Sequence, residues 1–173
     1  MNPVVQAMID RRSIKCYESR QVPEELLEQI LQAGIHAATG MGAQSPCIVV
    51  LQDPESISTL ERMNAAIMGV PEAHPFYGAP TVLVVLANAD IRTAVYDGSL
   101  VIGNMLLAAS ALGLGGCWIH RAKEEFESDG GKALLKSWGL EGNLIGVGHC
   151  IVGYPAAAPA PAKPRKEDYI IWP

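Results

Sequence analysis

Arg11, Arg12, Ser13 and Lys15 gather three cations and a hydroxyl within five positions, with Asp10 the only adjacent acid. Planar guanidinium forks, a hydroxyl and an ammonium group together match the oxygens of a phosphate. The same cations would also suit the negative end of a helix closing just before them, worth up to about 1 kcal/mol. Charge by itself leaves both readings open. Lys163, Arg165 and Lys166 form a second basic group near the other end of the sequence. It is a solvated tail unless its segment folds back, in which case Arg165 would complete the first anion site.

Gly113-Leu-Gly-Gly116 followed by Cys117-Trp-Ile-His120 reads as a helix end opening into a short apolar strand. Glycines there would let a planar ligand lie against backbone whose amides bond its heteroatoms. A helix C-cap with a tight turn is the simpler explanation of these glycines taken by themselves. They are no dinucleotide fingerprint, which follows a strand and opens a helix. Thr39-Gly-Met-Gly-Ala-Gln44 is a loop before a strand, with Gln44 able both to donate and to accept. His36, His74, His120 and His149 lack metal-ligand spacing and no paired-carboxylate motif occurs, so no metal is expected. There is no G-x-S-x-G elbow, and Cys16, Cys47, Cys117 and Cys150 have no assignable partner, so no protein nucleophile is expected. His149, inside an apolar run, reads as a satisfied core histidine.

These groups need elements to hold them. The 173 residues are 49% hydrophobic and 18% charged, enough for one folded core and too few for two. A charge of -5, from 13 basic and 18 acidic residues, repels a nucleic-acid backbone. Four scattered cysteines fit reduced thiols in a cytoplasm, and no charged n-region precedes an apolar stretch near Met1, so no secretory signal is expected.

Asn2-Pro3 begins a short helix that ends near Arg12 or Ser13, and a second starts after Val22-Pro-Glu-Glu25 and stops before Thr39-Gly40. Cys47 to Leu51, Thr81 to Leu86 and Ile145 to Val152 are apolar, β-branched strands read as buried on both faces. Helices are expected over Ser56 to Met68, Ser99 to Leu112 and Glu124 to Trp138. Gly98 to Ile119 holds no charge, but Gly103, Asn104 and the closing glycines break it, so it is read as a buried or intersubunit helix and not a membrane span. Pro155 to Pro164 is too proline-rich for helix or sheet and should run extended. Tyr169-Ile-Ile-Trp172 beyond it would be costly to leave in water, so the arm should dock, most naturally on a second copy of the chain.

Arg11-Arg-Ser-Ile-Lys-Cys-Tyr17, Val22-Pro-Glu-Glu25, Ala33-Gly34, Ala37-Ala-Thr-Gly-Met41, Gln44-Ser-Pro46, Gly113 to Ile119, Val152-Gly-Tyr-Pro155 and Lys163-Pro-Arg165 form an ordered series. In order and spacing it resembles the FMN-dependent nitroreductase family, in its small single-domain members. The resemblance implies an α+β fold, with a mixed, mostly antiparallel sheet flanked by helices. It also implies an intertwined homodimer with two FMN sites at the interface, residues 1–154 forming the FMN-binding domain and 155–173 an arm docking on the partner.

By the same resemblance Arg11, Arg12, Ser13 and Lys15 hold the FMN phosphate, ribityl chain and pyrimidine edge, with Arg165, beside Lys163, as a second phosphate contact. His36, Thr39, Gly40, Met41 and Gln44 belong to the segment the other subunit contributes. Backbone of Gly116, Cys117, Trp118, Ile119 and His120 lines the isoalloxazine. Lys15 stands where many relatives carry arginine, Gly42 where many carry asparagine, and Ser45-Pro46 where many carry proline and tryptophan.

The activity implied is ping-pong hydride transfer from NADH or NADPH to flavin N5 and then to an electron-poor acceptor such as a nitroaromatic or quinone. The chemistry is the flavin's, and Lys15 tunes it electrostatically near N1 and O2. Alternatives on the same residues are a different flavin reaction, a flavin sensor or carrier without turnover, and a small phosphate-ligand module. His74-Pro-Phe-Tyr77 is the candidate lid.

Overall fold

The computed structural model describes residues 1–173. In chain order the helices are α1 (Pro3–Asp10), α2 (Glu24–Ile35), α3 (Pro54–Ile67), α4 (Ala94–Ala111), α5 (Ala122–Glu127) and α6 (Asp129–Ser137). The strands are β1 (Pro46–Leu51), β2 (Thr81–Asn88), β3 (Gly115–Ile119) and β4 (Leu144–Gly153). Asn2 caps α1 and Asp53 caps α3 through their side-chain oxygens, each with proline in the first turn, so both helix starts are written locally.

The strands form one sheet in the order β1-β2-β4-β3, every pairing antiparallel. This is the expected α+β fold with its mostly antiparallel sheet. The single parallel element is the bridge Ser13 to Gly116, which lays the N-terminal segment beside β3. Because side chains alternate along β2, Leu83, Val85 and Ala87 face α2 and α4, while Val82, Val84 and Leu86 face α3, α5 and α6. Two apolar layers therefore share one sheet.

Three local expectations are corrected. Strands β2 and β4 are buried on both faces, but β1 is an edge strand with Val50 38% exposed, because only one neighbour covers it. A β-branched run looks the same whether a strand is central or at an edge. The single helix expected over Glu124 to Trp138 is two, since Ser128 ends α5 and caps α6, its hydroxyl accepting from the Gly131 amide at 3.1 Å. Finally, α4 begins at Ala94, five residues before Ser99, because buried Asp97 accepts hydrogen bonds from the Gly40 amide and the Thr93 hydroxyl, each at 2.9 Å.

Helix α4 is long and apolar enough to cross a bilayer by length and composition alone. Val101, Ile102, Met105 and Ala109 instead pack it on the sheet, while Val95, Tyr96 and Leu100 remain exposed. The C-terminal arm makes its last hydrogen bond to the body at Ala156, whose amide donates to the Cys16 carbonyl at 3.0 Å. Beyond it the residues are exposed, Trp172 by 90%.

Candidate functional site

The bridge to β3 decides the site. The Ile14 amide donates to the Gly116 carbonyl at 3.1 Å, and Ile14 is buried while Ser13 and Lys15 on either side point outward. An added Cβ at Gly115 would sit 2.6 Å from the Ile14 side chain, so glycine there lets the N-terminal segment approach the strand. Gly113, at φ 75°, terminates α4. The glycine run thus serves a helix cap and close packing of two chain segments, and Gly116 positions Ser13 and Lys15 without lining the cleft.

That cleft, about 470 Å³, is lined by Ser13, Lys15, Cys117, Trp118, Ile119 and His120 from the sequence-derived set. Met68, Ala73, His74, Pro75 and Tyr77 close its far side, and Arg121 joins at the β3–α5 junction. No acidic side chain lines it. The His74–Tyr77 stretch is tied down by Glu61, which accepts from the Phe76 amide at 2.8 Å, and Lys15 Nζ lies 5.5 Å from the Tyr77 ring centroid. Trp118 packs on the opposite side of the strand, so tightly over Gly148 that a Cβ there would meet its indole at 2.8 Å.

The two arginines part company. Arg12 donates to the carbonyls of Ile9 at 2.6 Å and Arg11 at 2.8 Å, closing the end of α1. Arg11 keeps a buried Nη1 with no partner. A buried guanidinium nitrogen without an acceptor is costly, and a bound anion would satisfy it. Burial raises the Cys117 thiol above its ordinary range, opposed in part by a hydrogen bond from Ser13 and by the positive charges of Lys15 and Arg11.

The remaining sequence-derived residues lie elsewhere on the surface. His36 faces a groove between α1 and α4. Thr39 and Gln44 line a hollow against β1, whereas Gly40 and Met41 border one beside Arg92 and Tyr96. Arg165 sits with Lys166 on the arm, and Lys163 is exposed along it. Met41 and Gln44 have positive φ, at 54° and 49°, a conformation unusual for residues with side chains.

Arg121 escaped sequence reasoning. No motif marks it; its φ of 80° and its neighbours appear only in three dimensions. Its Nε donates to Asn64 Oδ1 at 2.9 Å, and buried Asn64 donates to the His120 carbonyl at 2.8 Å and to Glu125 Oε1 at 2.6 Å. Glu125 Oε2 bonds His149 Nε2, whose ring lies edge-on to Phe76 at 5.3 Å between centroids. His149 is a core histidine, as the sequence suggested, but only half satisfied: Glu125 of α5 meets Nε2, and the buried Nδ1 has no partner.

A family model described as the Nitroreductase family matches residues 8–154. A protein of Methanothermobacter thermautotrophicus, provisionally named NADH dehydrogenase/NAD(P)H nitroreductase, is 30% identical over 165 residues, covering 90% of this chain and 79% of the relative. The FMN reductase [NAD(P)H] of Bacillus subtilis is 24% identical over 135 residues, covering 66% of this chain and 53% of its own. Among solved structures, a nitroreductase with bound FMN from Bacteroides fragilis superposes with a TM-score of 0.90 at 28% identity, covering 99% of both chains.

Proposed function

The chain belongs to the nitroreductase family, and on that footing we propose that it is an FMN-dependent oxidoreductase that uses NADH or NADPH to reduce an electron-poor acceptor. The observation that carries this reading is the convergence of Ser13, Lys15 and the Cys117–His120 wall on one cleft without an acidic side chain, in a protein of net charge -5. The donor set fits FMN: the unpartnered Arg11 Nη1 suits a phosphate, and an open strand wall suits a flat ring.

FMN, held there, would supply the hydride and electron chemistry, and a single open cleft suits a ping-pong order in which nicotinamide and acceptor occupy it in turn. Ser13 and Lys15, on the cleft lining, would donate hydrogen bonds to the ligand. The Lys15 ammonium, on the cleft lining, would favour negative charge on a flavin held there, so Lys15→Met should lower the bound flavin's reduction potential. With a nitro acceptor, reduction to nitroso takes up two electrons and two protons and releases water.

His36, Thr39, Gly40, Met41 and Gln44 serve the cleft of a second copy, and the arm carries Lys163 and Arg165 across to that copy. Support comes from the exposed apolar residues around them: Val4, Met8 and Ile9 on α1, Ile35, Met41, and Ile170 to Trp172 on the arm. Four free thiols suit a reducing cytoplasm. The deciding experiment is the absorbance spectrum of the purified protein before and after anaerobic NADPH. A yellow chromophore that bleaches is expected, and protein that stays colourless after incubation with FMN would overturn the assignment.

A further inference from the structure

We propose that Arg121 selects the acceptor, favouring electron-poor aromatics that carry an anionic substituent such as a sulfonate or carboxylate. The inference rests on the flavin reading and names the substrate class of that same site. Its basis is the sign of the cleft. Lys15, His74, His120 and Arg121 line it with no acid among them, reversing locally the negative charge of the whole chain. Two carboxylates in the elements packed behind the cleft are engaged within the protein. Glu61 accepts from the Phe76 amide and faces His74 Nδ1 at 3.4 Å, and Glu125 is fully buried between Asn64 and His149.

Arg121 differs from the other cations in how it is held. It forms no salt bridge, and its one hydrogen bond within the protein is to the neutral Asn64 amide. Its Nε is fixed by Asn64, which is itself fixed by the His120 carbonyl and by Glu125. Its two terminal nitrogens make no bond to protein and stay partly accessible at the cleft lining. A guanidinium anchored at Nε and open at both ends presents a two-pronged donor to an anion with two oxygens, with little side-chain entropy left to lose. The left-handed backbone at φ 80° is a conformation that disfavours side chains, and the buried network below maintains it.

The test uses the flavin-loaded protein and two nitro compounds of similar size, 4-nitrobenzenesulfonate and 4-nitrobenzenesulfonamide, compared as a ratio between wild type and variants so that their different ease of reduction cancels. In ping-pong kinetics kcat/KM for the acceptor belongs to the oxidative half-reaction, so the ratio of the two values isolates recognition of charge. The wild type should have a higher sulfonate-to-sulfonamide ratio than any variant lacking the Arg121 charge. Arg121→Gln should lower the sulfonate-to-sulfonamide ratio by about tenfold, the size of one charged hydrogen-bond contact. Arg121→Lys should retain more of the ratio, and added salt should shrink the wild-type ratio.

A ratio unchanged in Arg121→Gln, or parallel losses on both compounds, would overturn the proposal, as would a lysine variant indistinguishable from glutamine. A change confined to the NADPH-over-NADH ratio would assign the anion contact to the donor's phosphate and also overturn it. Wild-type protein that takes up no FMN would sink the underlying flavin reading. Yellow variants with parallel kinetics would sink only the role of Arg121.

Discussion

The residues that the sequence marked as a site divide into two groups, and they behave oppositely. Ser13, Lys15 and Cys117 to His120 are assembled within one chain, on a strand wall held by the Ile14–Gly116 hydrogen bond and backed by the buried Asn64–Glu125–His149 network. His36, Thr39 to Gln44, Lys163 and Arg165 are spread over separate hollows bordered by exposed apolar side chains. The first group is positioned by burial, which one chain can supply. The second is mostly exposed, with only Thr39 and Gly40 half-buried and Gly40 tied to Asp97, so within one chain these residues do not converge. Under the dimer reading, half of each cleft is built by folding and half by association.

Deleting residues 157–173 should separate the two most sharply. The arm makes no hydrogen bond to its own body beyond Ala156, so the truncated protein should fold with unchanged far-ultraviolet dichroism. Yet it should run as a monomer by light scattering and lose its flavin on gel filtration. A truncated protein that stays dimeric and yellow would break the division.

His149→Leu attacks the built half. It leaves Glu125 buried without its imidazole partner, and denaturant unfolding should show a loss of about 3 kcal/mol or more. A loss under about 1 kcal/mol would mean that the network contributes little to the strand wall.

Arg11→Met sharpens the comparison by giving opposite signs in one residue. Removing a buried, unpartnered guanidinium nitrogen should leave the flavin-free melting temperature equal or higher. FMN affinity should fall by about 2 kcal/mol, the worth of one charge-assisted contact to phosphate. Equal losses of both would show that Arg11 is structural.

The smallest effect concerns the thiols. Burial raises Cys117, Cys150 and Cys47, whereas Cys16 is exposed. Iodoacetamide at pH 8 should therefore modify Cys16 first, as peptide mapping would show. Above the ordinary thiol pKa of about 8.5 the unfolded chain releases these protons more readily than the folded one. Stability should accordingly decline as the pH rises past that value, and a stability that stayed flat to pH 10 would contradict the burial.

Much of the architecture was legible locally. Asn2-Pro3 announces a helix start, whereas the helix after β1 starts two residues before the expected Ser56, at Pro54 with Asp53 as its cap, and β2 and β4 are apolar runs bounded by prolines and turns. The break at Ser128 was legible in principle from Ser-Asp-Gly-Gly131, a cap followed by two poor helix formers, but the surrounding helical residues outweighed it. The edge character of β1 was not legible, since strand order depends on which segments pair across the sheet.

In the site the same boundary holds. Side-chain chemistry is a property of residue type, so clustered cations, free thiols, an overall negative charge and an apolar tail follow from the amino acids alone. What Arg11 and Arg12 do could not, because two adjacent guanidinium groups of identical chemistry differ only in what surrounds them. One meets helix-end carbonyls and the other a buried space. Arg121 became a candidate only when chain folding placed Asn64, 57 positions away, beneath it. Hydrogen bonds and dielectric environment act over a few ångströms of space, and distance along the polypeptide does not encode that.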